Sequence, residues 1–192
     1  VTAATLEQLG AEATSCTACV LSKTRTTVVV GSGRRGAPLF VVGEAPGAAE
    51  DAAGQPFIGR SGTLLLELVD EVLGLTRSDC YIANVIKCRP PNNRPPSTAE
   101  IASCAHYLDD QLALVRSAVV VTVGNTATRA VLETKAGITS LRGSVHSSPR
   151  CTMPVVPTYH PAAALRGGPS VVAAMRADLA LARPFLDGAR AR

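Results

Sequence analysis

Ala118-Val119-Val120-Val121-Thr122-Val123-Gly124-Asn125 is the stretch that decides the fold. Residues 118–123 form an apolar run of strand length, Gly124 ends it, and helix-forming residues continue from Asn125 to Glu133. The same run-then-turn signal appears at Leu39–Val42 before Gly43, at Cys80–Ile86, and at Val155–Thr158. Between these runs lie helical patterns. Thr5–Ala13 opens the chain. Thr63–Leu73 carries Leu and Val at helical spacing and closes on Gly74. Ser97-Thr98-Ala99-Glu100 forms a capping box for a helix reaching about Val115, and Pro169 starts a last helix running to about Leu186. Thr26–Val30 is a β-branched run, while Glu44–Gly62 and Arg89–Pro96 read as loops.

Strands alternating with helices four times over predict an α/β three-layer sandwich with a central four-stranded parallel sheet flanked by helices. Ligands in such folds bind beyond the C-terminal ends of the strands, which nominates the loops after Val42, Ile86, Val123 and Thr158. At 192 residues the chain is long enough for one substantial domain, so residues 1–192 are expected to form one. A 46% hydrophobic and 18% charged composition excludes general disorder. No apolar run is long enough to span a membrane. Val1–Ala13 lacks the basic head and apolar stretch of a secretory leader, so a cytoplasmic protein is expected. Val1 in place of an initiator Met reads as a trimmed or processed start.

The net charge is +4, and the only lysines are Lys23, Lys87 and Lys135, so arginine dominates the cations. Arginine suits phosphate recognition, but a GC-rich coding sequence produces the same bias. Gly31-Ser32-Gly33-Arg34-Arg35-Gly36 matches the dinucleotide pattern G-x-G-x-x-G. That pattern needs a helix opening on its last glycine, and the strand-like Ala37–Val42 follows instead, so no nucleotide cofactor is expected.

Cys16 and Cys19 form a C-x-x-C pair, Cys88 follows a strand, and Cys104 lies on the next helix. Four such thiolates can hold a zinc ion or an iron–sulfur cluster, and thiolates alone do not separate the two. Cys80 and Cys151 read as structural or incidental, and His106 and His146 as surface residues.

Three further segments stand out. The first is Gly43-Glu44-Ala45-Pro46-Gly47 with Glu50-Asp51 and Gly54-Gln55-Pro56-Phe57-Ile58-Gly59-Arg60-Ser61-Gly62. The second is Asn84-Val85-Ile86-Lys87-Cys88-Arg89-Pro90-Pro91, and the third is His160-Pro161 with Ala162–Arg166. Together they resemble the family 4 uracil-DNA glycosylases, and the likeness runs from about Cys16 to Leu186. It implies hydrolysis of the N-glycosidic bond of uracil in DNA, leaving an abasic site, after the nucleotide is flipped from the helix. It also implies a [4Fe–4S] cluster on Cys16, Cys19, Cys88 and Cys104.

Within that resemblance, Phe57 would stack on uracil and Asn84 would read its O4 and N3–H, a pattern cytosine reverses. His160 would donate to the negative charge growing on O2, with main-chain N–H groups near Glu44 and Ala45 assisting. Ala45 stands where other uracil-DNA glycosylases carry a water-orienting aspartate, which leaves Glu44 as the nearest carboxylate. Gly47 stands where those enzymes carry a tyrosine against thymine's methyl group, which leaves Glu50 or Asp51 as the wall. Arg60, Arg89, Arg94, Arg142 and Arg166 are the candidate DNA contacts, with Leu165 as a wedge for the vacated stack. No pocket lysine other than Lys87 is available for a Schiff base, and Arg89–Pro96 has no histidine of the kind that traps DNA covalently in a relative. The expected enzyme is therefore a monofunctional, turning-over monomer that acts on uracil-containing DNA. A metal-stapled nucleic-acid-binding module without catalysis, and a glycosylase of broader deaminated-base scope, are the alternative readings.

Overall fold

Four strands, β1 (Leu39–Gly43), β2 (Cys80–Asn84), β3 (Val119–Val123) and β4 (Val155–Thr158), form one sheet in the order β2-β1-β3-β4, every pair parallel. The computed structural model of the chain describes residues 3–190. Every residue of every strand is buried. This is why the strands read as continuous apolar runs rather than alternating ones. Their side chains still alternate. Phe40 and Val42 enter one core, and Leu39 and Val41 enter the other.

The first core is closed by α1 (Leu6–Ser15), α4 (Thr98–Val115) and α5 (Asn125–Leu132), through residues such as Leu9, Leu108 and Val131. The second is closed by α3 (Arg60–Leu73), α8 (Pro169–Ala180) and α9 (Arg183–Arg190), through Leu65, Leu68, Met175 and Leu186. Each fully buried leucine contributes about 2 kcal/mol of transfer free energy. The three-layer expectation is met. The Ser97–Glu100 capping box forms as read, and Thr5 caps α1 with Gln8 as its reciprocal partner.

Several boundaries differ from the sequence reading. The loop after β1 contains a short helix, α2 (Ala48–Ala53), which ends on Gly54 in the left-handed region. The helix expected from Thr63 already begins at Arg60. β2 stops at Asn84 rather than Ile86, although Val85 and Ile86 still donate to Gly43 O and Glu44 O. The stretch after His160 is itself a helix, α7 (Pro161–Gly167), which precedes α8, and the last helix breaks near Leu181. A short α6 (Ile138–Leu141) lies before the loop leading to β4. Thr26–Val30 forms no strand. It runs beside β2, where Val29 N donates to Lys87 O and Ser32 pairs antiparallel with Ile82. The Gly31–Gly36 segment opens no helix. Gly33 packs so closely on the main chain of Cys80 and Tyr81 that no side chain fits there.

Candidate active site

The sheet order reverses direction beside β1, and the crevice at such a switch point is where an open α/β sheet binds ligands. A cleft of about 550 Å3 lies there. Glu44, Ala45 and Gly47 from the exit of β1, Glu50 from α2, Phe57, Asn84 from the end of β2, and His160 from the exit of β4 all line it. Of the substrate-contact residues nominated from the sequence, all but Asp51 therefore line one space.

Gly43 explains how two of them meet. A side chain there would lie within 2.5 Å of the Phe57 ring edge and collide with Asn84 Oδ1, so only hydrogen lets the ring and the amide converge over β1. Asn84 is 2% exposed, yet its side-chain amide has no protein hydrogen bond among the described residues. A buried amide on a cleft wall with no protein partner is a recognition group waiting for a ligand. Phe57 itself sits at φ 54, in the left-handed region. That conformation is fixed from outside, since Arg77 donates to Phe57 O at 3.2 Å and to Pro56 O at 2.6 Å. Gly62 completes the fit, because a side chain there would overlap the Phe57 carbonyl.

His160 is the N-cap of α7, and its Nδ1 accepts from Ala162 N at 3.1 Å. Pro161 follows at the first helical position, where a missing N–H loses nothing. Burial lowers the imidazole from its ordinary 6.5, while Glu44 pulls it up and Arg166 pushes it down more weakly. Glu44 Oε2 accepts a short hydrogen bond from Thr126 Oγ1, and its Oε1 takes no protein hydrogen bond among the described residues. Thr126 was not nominated from sequence, although it lies in the first turn of α5, just beyond the end of β3. Glu50 Oε1 accepts from Ile58 N and Gly59 N at 3.2 and 3.0 Å, bracing the Phe57 loop, and Glu50 Oε2 occupies the space beside Gly47. Asp51 turns away and accepts from Thr26 N and Thr27 N.

The nominated arginines divide. Arg60 and Arg166 are exposed and line the cleft. Arg94 also lines it but forks onto Glu100 at 2.9 and 2.6 Å, and holds that carboxyl down at about 2. Arg89 is half-buried and donates to Asn93 Oδ1 at 2.7 Å. Arg142 is not brought to the cleft. It grips buried Asp178 with two nitrogens and lies over the Tyr159 ring. Leu165 is 45% exposed on α7, beside the cleft residues Ala162 and Arg166. Of the other histidines, His106 is exposed against Tyr107, while His146 bonds Leu141 O and bridges the edge of β4.

Cys16, Cys19, Cys88 and Cys104 line a second, smaller cavity. Cys16 caps the end of α1, Cys88 lies just beyond β2, and Cys104 sits on α4. Arg25 Nη1 donates to Cys88 Sγ at 3.3 Å and to Cys16 O at 2.7 Å, and Lys87 N donates to Cys104 Sγ at 3.3 Å. Burial pushes both the Cys88 and Cys104 thiols up. Cys80 and Cys151 stand apart from this cavity.

Comparison with known proteins agrees with this geometry. The sequence model of the uracil DNA glycosylase superfamily matches residues 30–180. A type-4 uracil-DNA glycosylase of Sulfurisphaera tokodaii is 43% identical over 166 residues, covering 83% of this chain and 76% of that protein. A type-4 uracil-DNA glycosylase of Thermotoga maritima is 45% identical over 152 residues, covering 79% and 78%. A type-5 uracil-DNA glycosylase of Pyrobaculum aerophilum is more distant, 32% identical over 141 residues, covering 65% and 61%.

Proposed function

From the premise that this chain belongs to the uracil DNA glycosylase superfamily, among its type-4 members, we infer how its residues carry out the reaction. The chain is a DNA-repair hydrolase that cleaves the N-glycosidic bond of uracil. The observation that carries the residue roles is the convergence of Phe57, the unpartnered amide of Asn84, and His160 on one cleft.

A uracil flipped out of DNA stacks on Phe57. Asn84 donates to its O4 and accepts from N3–H; cytosine would present a donor to a donor and leave buried groups unpaired. As the bond from C1′ to N1 breaks, the electron pair stays on uracil and charge gathers at O2. With Nδ1 occupied as an acceptor, neutral His160 carries its proton on Nε2 and donates it as a hydrogen bond to that oxygen. Glu44, steadied by Thr126, presents its free Oε1 to the sugar side, where it orients the water that adds to C1′; the proton that this water releases balances the uracil anion, so the products are free uracil and the abasic sugar. Glu50, braced on the Phe57 loop, walls the side of Gly47. Arg60 and Arg166 grip backbone phosphates, and Leu165 fills the vacated stack. The expected working unit is one domain, acting as a monomer on cytoplasmic DNA.

The four cysteines fit a [4Fe–4S] cluster. Cys16, Cys19, Cys88 and Cys104 line one cavity, and four cysteines are the donor set that such a cluster takes. Cys16, Cys19, Cys88 and Cys104 would hold the cluster, which when bound ties the N-terminal segment to the core.

The test is release of uracil. A labelled oligonucleotide containing uracil is incubated with the protein and then treated with alkali, and strand breakage at the uracil position is expected. DNA that stays intact while binding tightly would leave a nucleic-acid-binding module in place of an enzyme.

A further inference from the structure

Lys87 is buried, with 1% of its surface exposed. Its Nζ donates to the main-chain carbonyl of Asn84 at 2.6 Å and to Gln111 Oε1 at 2.6 Å. Gln111, on α4 and fully buried, is itself fixed, because its Nε2 donates to Val30 O at 2.7 Å and to Tyr81 Oη at 3.1 Å. The main chain of Lys87 is held as well. Its N–H donates to Cys104 Sγ at 3.3 Å, and its carbonyl accepts from Val29 N at 2.8 Å. The next residue is Cys88. One residue therefore touches the turn that carries the base reader, the helix behind it, and the cysteine cavity.

The need for such a brace follows from where Asn84 lies. β2 ends there, and beyond it Val85 N and Ile86 N hold the main chain to the exit of β1. The amide has no protein hydrogen bond among the described residues, so its position follows its main chain and its packing beside Gly43. A recognition group must sit within a fraction of an ångström of its working geometry, and neighbouring bonds supply that precision. The Nζ bond to Asn84 O closes the turn from residue 84 to 87 and anchors it to α4.

We propose that Lys87 is a positioning residue whose Nζ clamps the Asn84 carbonyl to Gln111, holding the reading amide in register with the base, while its main-chain N–H on Cys104 joins the base site to the cysteine cavity through one residue. The clamp rests on Asn84 being the base reader.

Lys87→Met keeps the length and apolar stem of the side chain and removes the donor. Wild type and variant are each titrated with two duplexes that differ at one nucleotide. One carries 2′-fluoro-2′-deoxyuridine, whose glycosidic bond resists hydrolysis, and the other carries thymidine. The thymine methyl is excluded by the wall beside Gly47, so the thymidine duplex reports binding without base engagement, and the ratio of the two affinities reports base engagement without any turnover. Melting temperature and iron content are measured on the same samples. Lys87→Met is expected to lower the ratio by about tenfold or more. Affinity for the thymidine duplex stays within about twofold, since no phosphate contact changes. A variant that melts lower or loses iron yet keeps the wild-type ratio makes Lys87 merely structural and overturns the clamp. Should Lys87→Met not fold, Gln111→Met removes the acceptor on α4 and is judged by the same ratio. Its loss supports the clamp, and its retention overturns it. A ratio lost in Asn84→Asp but kept in the clamp variants strikes the clamp alone. A ratio kept in Asn84→Asp strikes the reading of Asn84 and takes the clamp with it.

Discussion

Ala162 N donates to His160 Nδ1 at 3.1 Å, so the helix that follows β4 fixes the tautomer of the imidazole at its mouth. The proton is left on Nε2, facing the cleft. Burial holds the folded pKa below 6.5, so the neutral ring is the resident form at neutral pH. The sign follows from linkage. A folded pKa below the unfolded one makes His160 contribute stability that is complete above pH 6.5 and is lost as pH falls through the lower folded value. Protonating Nδ1 also removes the cap from Ala162. Single-turnover excision is therefore expected to stay level from neutral pH down to 6.5 and to fall only below it. A fall centred above 6.5 would place the folded pKa above its ordinary value and leave much of the ring as inactive imidazolium at neutral pH, contrary to the buried site. His160→Ala should slow excision by about a hundred- to thousandfold.

Gly124 stands against the same ring. A Cβ there would lie 3.0 Å from His160 Cβ, and the residue's φ of 87 with ψ of 176 is a conformation that side chains avoid. Gly124→Ala is expected to cost about 1–3 kcal/mol of stability in chemical denaturation. Excision per folded molecule should also fall, by about tenfold or more, through displacement of His160. An unchanged rate would mean the imidazole is not held by this contact.

Asn84→Asp exchanges the reader's donor for a second acceptor that repels O4. Single-turnover release of uracil should fall roughly a hundredfold, with binding to undamaged duplex unchanged. Near-normal release would remove Asn84 from base reading.

The fold was legible because both faces of this sheet are buried. That leaves Leu39–Val42 and Val119–Val123 as unbroken apolar runs, and of the four strand exits those of β1, β2 and β4 line the cleft, while that of β3 supports it from behind through Thr126 on Glu44 and Gly124 against His160. Phe57, Asn84 and His160 were legible because each stands in a motif beside such an exit. Arg77 was not legible. It latches the Phe57 loop from a turn 20 residues away, and no local pattern records a bond between an arginine and a distant carbonyl. The same limit hid Thr126 behind Glu44, and it hid the capture of Arg142 by Asp178, which lies 36 residues further along the chain. α7 escaped notice because its seven residues were read as a motif rather than as a helix, although the cap they place on His160 is what sets its chemistry.

Arg77 yields a separable outcome. Arg77→Ala removes two charge-assisted bonds to the main chain of Pro56 and Phe57. It should cost about 1–2 kcal/mol in denaturation. It should also weaken the stacking contact, since Phe57 is then free to leave its left-handed conformation. Excision is expected to fall at saturating DNA, with the salt dependence of binding unchanged. A variant that loses stability but keeps its rate would show that Phe57 holds its place without the latch.

Arg166 and Arg142 should behave in opposite ways. Arg166 is exposed at the cleft mouth. Its replacement by alanine should weaken binding evenly across sequences and flatten the dependence of log affinity on log salt by about one unit. Arg142 spends its guanidinium on the buried carboxylate of Asp178, which Thr158 Oγ1 also contacts at 2.8 Å. Arg142→Ala leaves that carboxylate without its cation, so it should cost several kcal/mol of stability, roughly 3–5, and leave the salt slope at the wild-type value. Measuring affinity across a salt series and unfolding in denaturant for both variants separates the assignments. A flattened slope in Arg142→Ala would return that residue to the DNA surface.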